Sequence, residues 1–329
     1  IITMSSNHWL LAWLGLELNT LAILPIMADN HHPRSVEATT KYFLVQSMAA
    51  ATILLASTLN AWSTGTWSIT HTNSTTTTTI VTAALALKLA AAPVHLWYSD
   101  VLQGSTMHTA LLVSTWQKIA PLTLLYLIHS STSPAILLTM GLLSVIIGGW
   151  TGLNQTQTRK VMAFSSIAHI GWLLVALACN LQLTTFTMLA YLTATTATFI
   201  TLISTKAKTI QDLGTLRTMS VPLMCTLMLT MASLGGLPPL TGFLPKLLIV
   251  KELTTQYLLL LAIALLLWSL PSLYFYTRMA YTTTLISPPT THCNKTSWRL
   301  PLNPQPILTI AATTATMTLP LMSALYNTT

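Results

Sequence analysis

The chain has 329 residues, of which 52% are hydrophobic and 6% charged, with a formal net charge of +8. Soluble domains carry about 25% charged residues, so a soluble fold of this composition could not cover its apolar surface, and an all-α polytopic membrane protein is the class that remains. The fourteen basic residues are scattered and flank apolar runs, which argues against a nucleic-acid partner. Cys179, Cys225 and Cys293 form no C-x-x-C and no His/Cys cluster, so no disulfide framework, zinc site or iron–sulfur site is expected within the chain.

Residues 1–6, opening IITMSS, read as the remnant of a truncated helix. Ten apolar runs of spanning length follow, near 8–28, 42–62, 80–97, 109–128, 135–152, 161–180, 183–204, 220–252, 257–278 and 305–325. About ten spans therefore make one transmembrane domain over 1–329. TNSTTTTT (72–79) reads as a polar loop, and the Pro-rich stretch 287–306 as an extramembrane connector before the last span. Trp9, Trp62 and Trp97 fall near run ends, where interfacial anchors belong.

Two runs are interrupted. Pro93 cuts 80–97, and GGLPPLTG, with Gly235, Gly236, Pro238 and Pro239, cuts 220–252. The two are five spans apart and so run in opposite directions, the pattern of inverted repeats with discontinuous helices around an ion site. Unwound backbone is tolerated in a membrane only where it faces protein or a water-filled cavity. Counting loops alternately puts Arg34, Lys41, Arg159, Lys160, Lys206, Lys208, Arg217, Arg278, Lys295 and Arg299 on one side and Lys251 alone on the other. That asymmetry supports the span count and marks the basic side as the inner one.

Glu17, Lys88, Lys118 and Lys246 remain inside the apolar runs, with Lys88 and Lys118 about nine residues from either end of theirs. Each costs about 2.5–3.5 kcal/mol at a helix centre, so four cost about 10–14 kcal/mol and call for a use or a compensation. Burial penalises charge, so a buried lysine can release and regain a proton and act as a carrier. Two such charges about 10 Å apart interact by roughly 1.7 kcal/mol at an effective dielectric near 20, enough to titrate as a coupled set. The competing account is structural: a Glu17–Lys88 ion pair that only fixes helix packing. His169 within its span and His95 beyond Pro93 are candidate proton relays, with simple hydrogen bonding as the alternative.

SSNHWLLAWLGLELNTLAILP, HHPRSVEATTKYFLVQ, KLAAAPVHLW, LLVSTWQKIAPLTLLY, GLNQTQTRKVMAFSSIAHIGW and SLGGLPPLTGFLPK together resemble the subunit 2 family of mitochondrial NADH–ubiquinone oxidoreductase, respiratory complex I. The resemblance runs from residue 5 to at least 280. It implies an antiporter-like helix bundle in the mitochondrial inner membrane, basic loops toward the matrix, that translocates protons. In that family a Glu and a Lys on neighbouring helices form a charge pair, matching Glu17 and Lys88; a central lysine matches Lys118, and one in the second broken helix matches Lys246. It further implies that NAD, FMN, iron–sulfur clusters and ubiquinone belong to other subunits, and that the partners are other membrane subunits of complex I, phospholipids and the transported proton. A stand-alone cation/proton antiporter and a non-transporting structural subunit are the alternatives.

Overall fold

The structure, a computed structural model, describes residues 2–29, 31–70, 72, 74–214, 221–285 and 306–317. Among these the regular elements are helices: α1 (Trp9–Ala28), α2 (Pro33–Thr64), α3 (Thr75–Leu89), α4 (Leu96–Gly104), α5 (Met107–Ser114), α6 (Trp116–Leu127), α7 (Pro134–Gly152), α8 (Thr158–Cys179), α9 (Leu181–Thr205), the short α10 (Ile210–Leu213), α11 (Val221–Gly235), α12 (Phe243–Thr255), α13 (Leu259–Leu285) and α14 (Pro306–Met317). Seven are long and apolar enough to cross a membrane when α5 and α6 are taken as one, and α3/α4, α11/α12 and α14 supply three more passes. Each of the ten runs of the sequence thus contains helix among the described residues. The connector 287–305 and the end of the last run lie outside the described residues.

Among the described residues three helices are broken, not two. In the first, α3 ends at Leu89 and Ala90 closes it in the left-handed region at φ 60°, its amide and that of Ala91 returning to Leu87 and Ala86 carbonyls at 3.1 and 2.9 Å. The break therefore starts three residues ahead of Pro93 and runs to His95. Another lies between α11 and α12, where the sequence placed it: Gly236 adopts φ 82°, and Gly242 packs so close that an added Cβ would stand 1.8 Å from the Ser233 carbonyl oxygen. The unexpected break is at Thr115 (φ −111°, ψ −68°), between α5 and α6.

Thr75–Thr79, read above as loop, instead begin α3. Ser74 caps it by accepting the Thr77 amide at 3.3 Å, and the hydroxyls of Thr78 and Thr79 donate to the carbonyls of Thr75 and Thr76 at 2.9 and 2.8 Å. Threonine that satisfies itself this way needs no water, so a Thr run can enter the bilayer as helix.

The chain forms two compact units, 1–147 with 166–181, and 148–165 with 182–329. The first has a core of Trp9, Leu16, Ile53, Leu85, Leu89, Leu124 and Ile170. Trp9 (1% exposed) belongs to this core and Trp97 (9%) is also buried, which leaves neither free to act as an interfacial anchor, whereas Trp62 is 89% exposed. Glycines bring α7 and α8 together: a Cβ on Gly171 would lie 2.3 Å from Ser144 Oγ and 2.6 Å from the Gly141 carbonyl oxygen. Gly171→Ala should therefore cost about 1–3 kcal/mol by overpacking. The check is a lowered thermal midpoint of the extracted protein; an unchanged midpoint would show that the crossing can relax. In the second unit Gly149 and Gly152 pack against Trp268 and Phe275 of α13, and the Thr241 hydroxyl donates to the Ala315 carbonyl of α14.

Candidate functional site: a lysine at each helix break

Each broken helix carries a lysine within one turn of its break. Lys88 is in the last turn of α3, Lys118 is the third residue of α6, and Lys246 the fourth of α12. Each therefore lies within a turn of one helix end, where unbroken spans would put Lys88 and Lys118 about nine residues from both, because the helices stop beside the charges. That placement has a physical reason: helix termini carry unpaired backbone groups and partial charges that a buried ammonium or amine can use. Lys88 sits at the negative end of α3. Lys246 Nζ reaches back across its break and donates to the Gly235 carbonyl at the end of α11, at 2.8 Å. A side chain on Gly236 would meet that nitrogen at 3.0 Å, so the glycine also keeps the lysine's path clear.

In the first unit two of the lysines share one polar cavity. Its lining includes Lys88 and Lys118 together with Tyr42 and Gln46 of α2, Tyr98 of α4, Asn19 of α1 and Gln117 of α6. The volume is about 10 Å³, room for about one water molecule. Lys88 is 6% exposed and Lys118 3%. Lys118 Nζ lies 4.8 Å from the centre of the Tyr98 ring, a geometry worth about 0.5–2 kcal/mol to a cation. Lys88 Nζ is buried with no hydrogen-bond partner among the described residues, and so is Glu17 Oε2. Gln46 Nε2 donates to the Lys88 carbonyl at 3.4 Å, holding the end of α3 against α2.

Glu17 and Lys88 do not form the contact ion pair of the competing structural account. Among the described residues the contact ion pairs are Lys41–Glu37 at 2.7 Å and Lys41–Asp100 at 3.2 Å, both exposed. Glu17 acts on Lys88 by Coulombic attraction over a longer gap. His95 is buried, and its Nδ1 is engaged with the Pro93 carbonyl at 3.0 Å, so it braces the break. His169 is half-buried in α8. Neither is among the cavity-lining residues.

Sequence reading missed Tyr42, Gln46, Tyr98, Asn19 and Gln117. Two signals were available: Asn19 lies two residues from Glu17, and Gln117 adjoins Lys118, in runs otherwise apolar. Tyr42, Gln46 and Tyr98 gave none, since only packing brings α2 and α4 to the same cavity.

Broken membrane helices with a lysine at each break, two of them buried and one half-buried, define an antiporter-like transmembrane protein. Residues 6–273 match the family described as NADH:quinone oxidoreductase/Mrp antiporter, TM, and residues 273–326 the NADH dehydrogenase subunit 2 C-terminus. NADH-ubiquinone oxidoreductase chain 2 of Sibirionetta formosa is 48% identical over 99% of this chain and 94% of its own, and that of Gallus gallus 49% identical over 95% and 91%. A chain of respiratory complex I from Thermus thermophilus with bound aureothin is 27% identical with a TM-score of 0.82, over 99% of this chain and 74% of that one. In the Mrp complex from Dietzia sp. DQ12-45-1b the same fold recurs at 20% identity and a TM-score of 0.79, over 86% of this chain and 58% of that one. The chain belongs to the NADH–ubiquinone oxidoreductase chain 2 family.

Proposed function

We propose that this chain, a multi-pass membrane subunit of respiratory complex I, carries protons across the inner membrane through its break-site lysines. The observation that carries the reading is the single cavity lined by both Lys88 and Lys118. A proton on Lys88 has a polar neighbour of the right size to leave by: space for about one water, with the Lys118 amine on the same wall. Glu17, close enough to attract Lys88 but not to neutralise it, biases which lysine holds the charge. Lys246, cradled at the α11 end, serves the second unit in the same way. His95 and His169 are proposed at most as accessory relays.

The redox chemistry is assigned to other subunits, which hold NAD, FMN, iron–sulfur clusters and ubiquinone. This chain's share is vectorial: it moves a proton when quinone reduction elsewhere changes the field or the packing around Glu17. Its partners are the neighbouring membrane subunits and phospholipids, and its basic loops face the matrix. A stand-alone antiporter would use the same lysines. The 94% coverage of a chain 2 relative favours the complex I reading.

The test is a double-mutant cycle in the assembled complex. Glu17→Gln and Lys88→Met should each lower proton-coupled quinone reduction several-fold, and the double variant should be no worse than the worse single, since groups acting as one unit are not additive. Effects that multiply would show that the two residues act independently and would overturn their coupling.

A further inference from the structure

One pair of side chains beside the cavity has no part in the proton steps above. Asn19 Nδ2 donates to Gln117 Oε1 at 2.6 Å, and Gln117 Nε2 donates to the Asn19 backbone carbonyl at 3.3 Å. The second bond fixes the first. A backbone carbonyl can only accept, so the Gln117 nitrogen must face it, and the Gln117 oxygen is then left for the Asn19 amide. The pair has one consistent orientation and ties α1 to α6 at two points.

Its position matters more than its strength. Gln117 is the second residue of α6, two residues after the break at Thr115 and directly before Lys118. The start of α6 is weakly held from within, since the Lys118 amide reaches the Thr115 carbonyl only at 3.4 Å. Asn19 is two residues past Glu17 on α1. Both amides line the cavity. We propose that the Asn19–Gln117 amide pair is a positioning clamp that holds the broken end of α6 against α1, keeping Lys118 on the cavity it shares with Lys88. It rests on the proton-carrying reading of those lysines and adds to it the element that sets their geometry. The titratable groups that line the cavity with Lys118 are Lys88 of α3, Tyr42 of α2 and Tyr98 of α4. The clamp fastens α6 to α1, the helix that carries Glu17.

The experiment compares Asn19→Leu, Gln117→Leu and the exchanged pair Asn19→Gln/Gln117→Asn in assembled complex I. Each Leu variant should lower the kcat of coupled quinone reduction about 5-fold or more with KM for quinone unchanged, because the quinone is bound elsewhere. The pH at half-maximal turnover should also move by about 0.5 unit or more, since the carrier's surroundings change. The exchanged pair, with one methylene moved from one side to the other, should restore both. A pH profile that does not move, or a defect that the exchange fails to rescue, overturns the clamp. Lys118→Met run beside them separates the two levels. If it abolishes coupling while the Leu variants are normal, the clamp alone fails; if it leaves coupling intact, the underlying reading fails and the clamp with it.

Discussion

Lys118→Met in assembled complex I is expected to lower coupled NADH–quinone turnover at least 10-fold, at normal complex abundance. Met keeps the unbranched shape of lysine, so the packing around a residue only 3% exposed changes little. What is lost is the one titratable group on the α6 wall of the cavity. A 10-fold loss corresponds to about 1.4 kcal/mol on the rate-limiting barrier, well within what a proton carrier controls. Lys118→Arg sharpens the expectation. Arg keeps the positive charge and can still lie over the Tyr98 ring, but it does not release its proton in proteins. If the site merely needed a fixed cation, Arg would restore turnover; if it passes a proton, Arg fails almost as badly as Met. Quinone reductase activity per assembled complex on a native gel measures both.

Gly242→Val is expected to have the larger effect on assembly. Even a single methyl on Gly242 would stand 1.8 Å from the Ser233 carbonyl oxygen and 2.9 Å from its carbon, and neither is the end of a flexible side chain. The contact is backbone to backbone, so relief requires α11 and α12 to separate at their break. Lys246 then loses the Gly235 carbonyl that holds it. Overpacking of this kind costs about 3 kcal/mol or more, a large fraction of the stability of a domain. Little or no assembled complex containing this chain should be found on native gels, and normal abundance would show that the break is looser than its geometry implies. The φ of Gly242, −68°, is open to any residue, so the cost is one of space and not of backbone conformation.

Much of this architecture was legible in the amino-acid sequence, for identifiable reasons. Hydropathy sets the number of passes because the bilayer admits only helices with satisfied backbones. Gly235, Gly236, Pro238 and Pro239 announced the break beside Lys246, since each removes a reason to stay helical. The break at Thr115 had no such marker; Pro121, six residues on, is the nearest, and it sits inside α6. The Thr run at 75–79 misled in the opposite sense, because polar composition looks like loop until each hydroxyl is seen to pair with its own helix.

The candidate site was half visible. Glu17, Lys88, Lys118 and Lys246 stand out wherever charge interrupts hydrocarbon. Their arrangement does not: the sequence leaves a Glu17–Lys88 contact pair open as the structural alternative, and in the structure the two do not touch. The Tyr42, Gln46 and Tyr98 walls depend on which faces of α2 and α4 turn inward.

The proposed proton path through this chain runs by way of Lys118. The direct measurement is the number of protons translocated per NADH oxidised by purified complex in proteoliposomes, wild type against Lys118→Met, scored over the residual turnover. A lower ratio in the variant, or no translocation that can be separated from its lost turnover, is the predicted result. An unchanged ratio at unchanged turnover would contradict the account and leave the buried lysines as supports for the helix breaks.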